Sequence, residues 1–138
     1  MRGVSHGMTV NSFTSLSLDP PLVSVSLEKV TRTHQLVLDA NAFTVTILSQ
    51  GQQALSDRFA GRESEHSDRF AGLETFTVET GNPILTQGMA FFDCNVAASH
   101  DAGTHTVFIG EVLACGRLTE NGEPPLVYFN RGYRNISS

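Results

Sequence analysis

The sequence predicts a mainly β fold, a small Greek-key barrel with one or two helices outside it. Several short segments alternate apolar and polar residues with the two-residue period of a half-buried strand. Only two stretches are patterned as helices, and strands and helices do not alternate regularly, which disfavours a doubly wound parallel sheet. With 138 residues and 40% hydrophobic content, the chain fits one domain with a real core. We therefore expect a single domain over residues 1–138.

Six segments have the residue pattern of strands. Along the second, Val23, Val25 and Leu27 lie on one side and Ser24 and Ser26 on the other. The longest is interrupted by two glycines, at positions 110 and 116, which predicts a bent or bulged strand. The predicted strands are residues 8–13, 22–27, 42–48, 89–97, 104–118 and 126–129.

Two helices are predicted outside the barrel. The first covers residues 33–40 and stops at Asn41. The second begins at the capping-box pattern of Ser49 and Gln52, runs through Phe59 and ends at Gly61, a plausible left-handed terminator. The polar residues 62–82 that follow predict a long surface excursion.

Charge and composition exclude several classes of function. The formal net charge is −5 and the nine basic residues are scattered, so no basic field is available for nucleic acid or an anionic membrane. The N-terminus is polar and no apolar stretch approaches the ~18 residues of a membrane span, so we expect a cytoplasmic protein.

The two cysteines and the acidic strand residues suggest no metal site. Cys94 and Cys115 lack metal-ligand spacing and lie in apolar runs, which predicts buried, reduced thiols. The histidines are also irregularly spaced, so no metal is expected. Asp93 and Glu111 fall within predicted strands, where they could face a partner subunit.

A polar stretch over residues 7–23 is the first candidate for chemistry. Thr9, Asn11, Ser12 and Ser15 precede a break at the two consecutive prolines, 20–21. Their hydroxyls, amide and backbone N–H groups suit the N and O edge of a flat heteroaromatic ring. The other interpretation is a polar strand-to-turn junction, which composition alone favours.

A second candidate lies at the predicted start of the first helix. Thr31, Arg32 and Thr33 combine two hydroxyls, a guanidinium, backbone N–H groups and the helix dipole, which together form a phosphate site. An ordinary N-cap beside a solvated arginine explains the same residues equally well. Because no G-x-G-x-x-G follows a strand, a dinucleotide-binding fold is not supported.

Several strings together resemble the flavin reductase family, the small reductase components of two-component flavin monooxygenases such as those acting on 4-hydroxyphenylacetate or phenols. The resemblance covers essentially the whole chain, in the family's order and at similar spacing. The strings are GMTVNSFTSLSLDPPLV, EKVTRTH, DRFAG, FDCNV, HDAGTHTVFIGEV and PLVYFNRGY.

The resemblance implies an FMN-binding split β-barrel, usually a homodimer with the flavin near the subunit interface. The implied activity transfers a hydride from NADH or NADPH to FMN or FAD and supplies reduced flavin to a partner oxygenase. No obligate acid–base residue is expected, because the protein's tasks are to orient the two rings and stabilise the reduced flavin. The alternatives are a flavin-binding barrel without turnover and a structural barrel of unrelated function.

The resemblance also assigns the cofactor site residue by residue. Thr104 stands where the family more often has aspartate, just before His105, which the resemblance assigns to the nicotinamide. We expect His105 to lie away from the flavin-binding segments. The implied contacts are Thr9, Val10, Asn11, Ser12, Phe13, Ser15 and Leu16 along the flavin, Thr31, Arg32 and Thr33 at its phosphate, Phe59 near the cofactor pocket, and His105 at the nicotinamide.

The start of the chain departs from the family pattern. Family members normally have a helix and a first strand before the segment that matches residue 7, and this sequence lacks them. Either the sequence is an N-terminally truncated form or a neighbouring subunit fills the gap. A barrel without that strand exposes an edge that needs cover, so we expect an obligate dimer.

Overall fold

The computed structural model describes Met8, residues 12–59, Phe70, residues 72–118, and the backbone of residues 127–129 and 132–134. In this part of the chain strand dominates and the helices are short. The elements in chain order are β1 (Thr14–Leu18), β2 (Pro21–Glu28), α1 (Arg32–Ala40), β3 (Ala42–Ile47), a 3₁₀ turn (Gln50–Gln52), α2 (Gln53–Phe59), β4 (Thr75–Phe76), β5 (Ile84–Leu85), β6 (Ala90–Ala102), β7 (His105–Arg117), β8 (Val127–Phe129) and β9 (Gly132–Arg134).

Five antiparallel strands form the main sheet, in the order β1-β2-β7-β6-β3. Strands β6 and β7, each of 13 residues, form its long central hairpin. Gly103 takes the first position of their two-residue turn with a φ of 69°, as the type II′ turn of a hairpin requires. The pairs β4–β5 and β8–β9 form separate two-stranded sheets.

The core lies on one face of the sheet, under helix α1. The alternation predicted for residues 22–27 is confirmed, because the apolar side chains of β2 point into this core and the serines point away. Val37 of α1 packs on the same cluster and closes it from above. The buried core residues are Val23, Val25, Leu27, Val37, Phe43, Cys94 and Phe108.

Gly110 marks a close approach inside this core and borders a bulge in the β6–β7 pair. A Cβ atom there would lie 2.6 Å from Cζ of Phe43 and 2.8 Å from Cβ of Cys94. The register shifts of the β6–β7 pair leave Leu113 of β7 and Ala97 of β6 unpaired, and Ala97 lies between the partners of Gly110 and Ile109. The predicted irregularity of the strand is therefore confirmed, and one of its two shifts lies beside Gly110.

The first predicted strand, residues 8–13, is wrong as far as the structure describes it. Met8, Ser12 and Phe13 lie outside any strand, and β1 begins at Thr14. The Ser12 hydroxyl accepts the N–H of Ser26 at 2.9 Å and donates to its carbonyl at 3.1 Å. A side chain thus takes the place of a backbone partner beside β2, which periodicity in the sequence does not reveal.

The predictions for the helices hold more closely. Helix α1 ends at Asn41, a left-handed cap with a φ of 55°, as predicted. The side chain of Gln52 accepts the N–H of Ser49 at 2.8 Å, which is one half of the predicted capping box, and α2 follows. The proposed terminator Gly61 lies outside the described residues. No helix of the described chain is long and apolar enough to cross a membrane.

The face of the sheet opposite the core is covered by residues of the 75–85 region. The Asp93 carboxylate is fully buried here and accepts hydrogen bonds from the hydroxyls of Thr44 and Thr80, both at 2.6 Å. It also accepts the Thr80 N–H at 2.8 Å, while the ring of Phe76 packs edge-on to Phe91 at 5.6 Å. Asp93 therefore does not face a partner subunit, and the later part of residues 62–82 is not a simple surface excursion.

The two cysteines differ in environment. Cys94 is buried in the core, as predicted, but Cys115 is exposed, so the prediction of a second buried thiol is wrong. Cys115 lies near the end of β7, two residues beyond the unpaired Leu113, where exposed and half-buried residues alternate. No cluster of three metal-ligating side chains occurs among the residues that the structure describes.

Candidate functional site

The turn between β2 and α1 places a helix N-terminus at the end of the sheet. Thr31 is the N-cap of α1, with extended backbone, and its hydroxyl accepts the His34 N–H at 3.3 Å. The same hydroxyl donates to the Glu28 carbonyl at 2.8 Å. The Thr31 side chain is therefore committed to starting the helix, as in the N-cap interpretation of the sequence.

The next two residues retain capacity for a ligand. The Thr33 hydroxyl oxygen is buried and has no hydrogen-bond partner among the described residues, a state that costs about 1–3 kcal/mol. The Arg32 side chain is exposed, and no ion pair or hydrogen bond to it is found in the described chain. The N–H groups of the first helical turn have no partner within a helix and lie at its positive end. This group of donors fits a phosphate.

The backbone of His105 lies beside this turn, and the expectation that its side chain lies away from Thr31–Thr33 stays a prediction. As the first residue of β7 it is directly opposite Glu28, the last residue of β2. The Lys29 N–H donates to the Thr104 carbonyl at 2.9 Å, which joins the turn to the tip of the β6–β7 hairpin. Antiparallel pairing brings the end of β2 to the beginning of β7, so the turn before α1 and the first residues of β7 lie close together.

The half-buried His105 ring has a partner in the preceding residue. Its Nδ1 lies 2.9 Å from the hydroxyl oxygen of Thr104, the residue that stands where aspartate is more common. A hydroxyl can donate or accept toward a ring nitrogen, so Thr104 can still orient the imidazole.

The structure describes four of the seven residues predicted to lie along the flavin. Ser12 is bonded to β2 through its hydroxyl, and Phe13 turns toward the core, with its ring 5.1 Å from that of Phe92. Ser15 and Leu16 are exposed on β1, where a register shift falls at Leu16. Thr9, Val10 and Asn11 lie outside the described residues.

Phe59 has a packing role in this structure. It is buried at the end of α2, and its ring packs edge-on to that of Phe70 at 5.0 Å. Its predicted place near a cofactor pocket stays a prediction.

Sequence reasoning missed one polar pair at the site. Nε2 of His34 lies 2.7 Å from the Thr106 hydroxyl oxygen, and both side chains are buried between α1 and β7. The ring of His34 also packs edge-on to Phe108 at 5.3 Å. Nothing in the sequence indicated this pair, because its two members are 72 residues apart.

Comparison with known proteins identifies the family. The family model described as "Flavin reductase like domain" matches residues 2–137. The chain belongs to this family. It is 42% identical over 131 residues to the NADH-dependent flavin reductase StyB of Pseudomonas fluorescens, covering 95% of this chain and 74% of that protein.

Two further comparisons agree. The reductase component of 4-hydroxyphenylacetate 3-monooxygenase from Thermus thermophilus is 38% identical over 131 residues, which are 95% of this chain and 79% of that protein. The structure of the NADH:FAD oxidoreductase SgcE6 of Streptomyces globisporus C-1027 superimposes with a TM-score of 0.89 at 30% identity. That match covers 99% of this chain and 81% of the other. The predictions of a split-barrel fold and of a flavin reductase are confirmed.

Proposed function

We propose that this chain uses NADH to reduce a flavin and hands the reduced flavin to an oxygenase component. The observation that supports the binding mode best is the buried Thr33 hydroxyl at the capped N-terminus of α1, which has no hydrogen-bond partner among the described residues. NADH is the donor named for StyB and SgcE6, and the Thermus relative is named as the reductase component of a monooxygenase.

The residues at the start of α1 hold the flavin phosphate in this proposal. Thr33 donates its hydroxyl proton, Arg32 supplies a charged donor, and the helix supplies backbone N–H groups. In this proposal the residues from Thr9 to Leu16 contact the ring system. When bound, the flavin supplies the ring that accepts the hydride, and the chain's task is to orient two flat rings and exclude water.

His105 binds on the nicotinamide side. Its position opposite Glu28 places it near the turn, and the Thr104 hydroxyl restrains the ring through Nδ1. His105 orients the nucleotide and transfers no proton, because hydride transfer between the two rings needs no protein acid or base.

A homodimer in the cytoplasm completes the proposal. Strand β1 is an edge of the five-stranded sheet, and it exposes Leu16 by 50% and Leu18 by 90%. Exposed edge strands with apolar side chains are usually covered in native proteins, and a second copy of the chain is the cover proposed here. Sedimentation showing a stable, folded 14.9 kDa monomer would contradict this part.

Flavin titration followed by anaerobic addition of NADH tests the function. The protein should bind FMN or FAD, and the flavin absorbance should bleach when NADH is added. Arg32→Ala should raise the dissociation constant of FMN by roughly ten- to a hundredfold, because a hydrogen bond to a charged group contributes about 1.5–3 kcal/mol. Arg117→Ala, at the far end of β7, is the matched control and should bind normally.

Each outcome has a distinct meaning. Binding without bleaching indicates a flavin-binding module without turnover. Absence of flavin binding excludes both the reductase and the flavin-binding module. An unchanged FMN affinity in Arg32→Ala removes that residue from the site.

A further inference from the structure

We propose that the buried hydrogen bond between His34 and Thr106 is a positioning contact that holds the phosphate-binding N-terminus of α1 in place on strand β7. Neither residue touches the cofactor in this proposal. His34 and Thr106 are each 8% exposed, and their Nε2 and Oγ1 atoms lie 2.7 Å apart. The inference rests on the proposed phosphate site at Thr31–Thr33.

His34 is fixed at both its backbone and its side chain. Its N–H donates to the hydroxyl of the N-cap Thr31, and its ring reaches across to β7. The ring is further oriented by its edge-on contact with Phe108, at 61° between planes. A single residue therefore links the cap, the first helical turn and the sheet.

The helix cannot hold this position unaided. Helix α1 has only nine residues, and isolated helices shorter than about 12–15 residues are marginal in water. Its buried residues are His34 and Val37. Val37 packs through apolar contacts, which are not directional, whereas the hydrogen bond of His34 sets both distance and angle. Loss of that bond can shift the first turn without unfolding the helix.

Two other contacts hold the turn before α1 to the β6–β7 hairpin, and neither reaches the helix itself. The Lys29 N–H donates to the Thr104 carbonyl at 2.9 Å, and an ion pair joins Lys29 to the end of β6. Lys29 forms an ion pair with Asp101, but their side chains are 39% and 78% exposed, and such surface pairs contribute little. The buried pair instead joins the helix to β7, because Thr106 is the residue that follows His105 in that strand. It is therefore the contact expected to control the position of the donors at Thr33 and Arg32.

Comparing FMN with riboflavin, which lacks the phosphate, isolates this effect. Thr106→Val removes the hydroxyl but keeps the shape of the side chain, and Thr106→Ser keeps the hydroxyl. We expect Thr106→Val to weaken FMN binding about tenfold while riboflavin binding changes by less than about twofold, because only the phosphate contacts are misplaced. Thr106→Ser should retain the wild-type preference for FMN. Fluorescence titration gives both constants.

Two further variants separate positioning from stability. His34→Leu removes the other partner of the hydrogen bond, so it should lose the preference for FMN over riboflavin as Thr106→Val does. Asp93→Asn disturbs buried hydrogen bonds on the opposite face of the sheet, so it should lower the melting temperature without changing the ratio of the two dissociation constants.

The outcomes distinguish this inference from the proposed function. If the wild type binds riboflavin as well as FMN, the phosphate site and the positioning role both fail, whereas bleaching of the bound flavin by NADH still decides the proposed function. If Arg32→Ala loses the preference but Thr106→Val and His34→Leu keep it, only the positioning role is overturned. Equal weakening of both flavins, or failure of both variants to fold, shows a purely structural contact and also overturns it.

Discussion

The buried carboxylate of Asp93 should be among the most sensitive polar positions for stability. It is 0% exposed and accepts three hydrogen bonds, from the hydroxyls of Thr44 and Thr80 and from the Thr80 N–H. In Asp93→Ala the two hydroxyls, which are 3.4 Å apart, can bond to each other, but the Thr80 N–H keeps no partner. One unsatisfied buried donor costs about 1–3 kcal/mol, and the cavity adds to it, so we expect a loss of about 3 kcal/mol.

Asp93→Asn should lose less than the alanine variant. The amide keeps the shape and one acceptor oxygen, but its NH₂ group faces one of the donors that the carboxylate satisfied, so a loss of about 1–2 kcal/mol follows. Urea unfolding measures both, at one fixed protein concentration because any dimer makes stability concentration-dependent. Glu111→Gln, an exposed carboxyl of β7, is the control and should change stability by no more than about 0.5 kcal/mol.

Hydrogen exchange at the Thr80 amide provides an independent test of the hydrogen bonds to Asp93. The Thr80 N–H is bonded to the carboxylate, so it should lose protection in Asp93→Ala before the amides of the central strands do. A loss of stability below about 0.5 kcal/mol in Asp93→Ala, with Thr80 still protected, would refute the assignment of this carboxylate as the anchor of the 75–85 region.

Three further predictions concern Gly110 and the two cysteines. Gly110→Ala should lower the free energy of unfolding by about 1–3 kcal/mol, measured in urea, because its Cβ would lie 2.6 Å from Cζ of Phe43. In the native protein a maleimide should label the exposed Cys115 but not the buried Cys94, and mass spectrometry checks this. Burial raises the pKa of the Cys94 thiol from 9.0 to about 12, with smaller contributions from the charges of Asp93 and Cys115. A raised pKa favours the neutral thiol in the folded state, so the contribution of Cys94 to stability is complete below pH 9.0 and is lost as the pH rises toward 12. Wild-type stability should therefore fall more steeply than that of Cys94→Ala across this range.

The parts of the fold that the sequence predicts well are those with one buried face. Alternation identified β2, β3 and the first part of β6, where apolar and polar residues alternate along the strand. It failed around residues 8–18, where Ser, Thr and Asn are dense and few apolar residues mark a face. In that segment a Ser12 hydroxyl substitutes for a backbone partner, an interaction that no periodic pattern records.

The candidate site depends on strand register, which local sequence does not specify. His105 meets the turn before α1 only because Glu28 is paired with it in the β2–β7 ladder. A slip of one residue would turn Thr106 to the outer face and His105 to the inner one. His34 would then be buried without a partner, at a cost of about 1–3 kcal/mol. The buried pair thus disfavours the slipped register, and the same hydrogen bond that positions the start of α1 helps to select the strand pairing that forms the site.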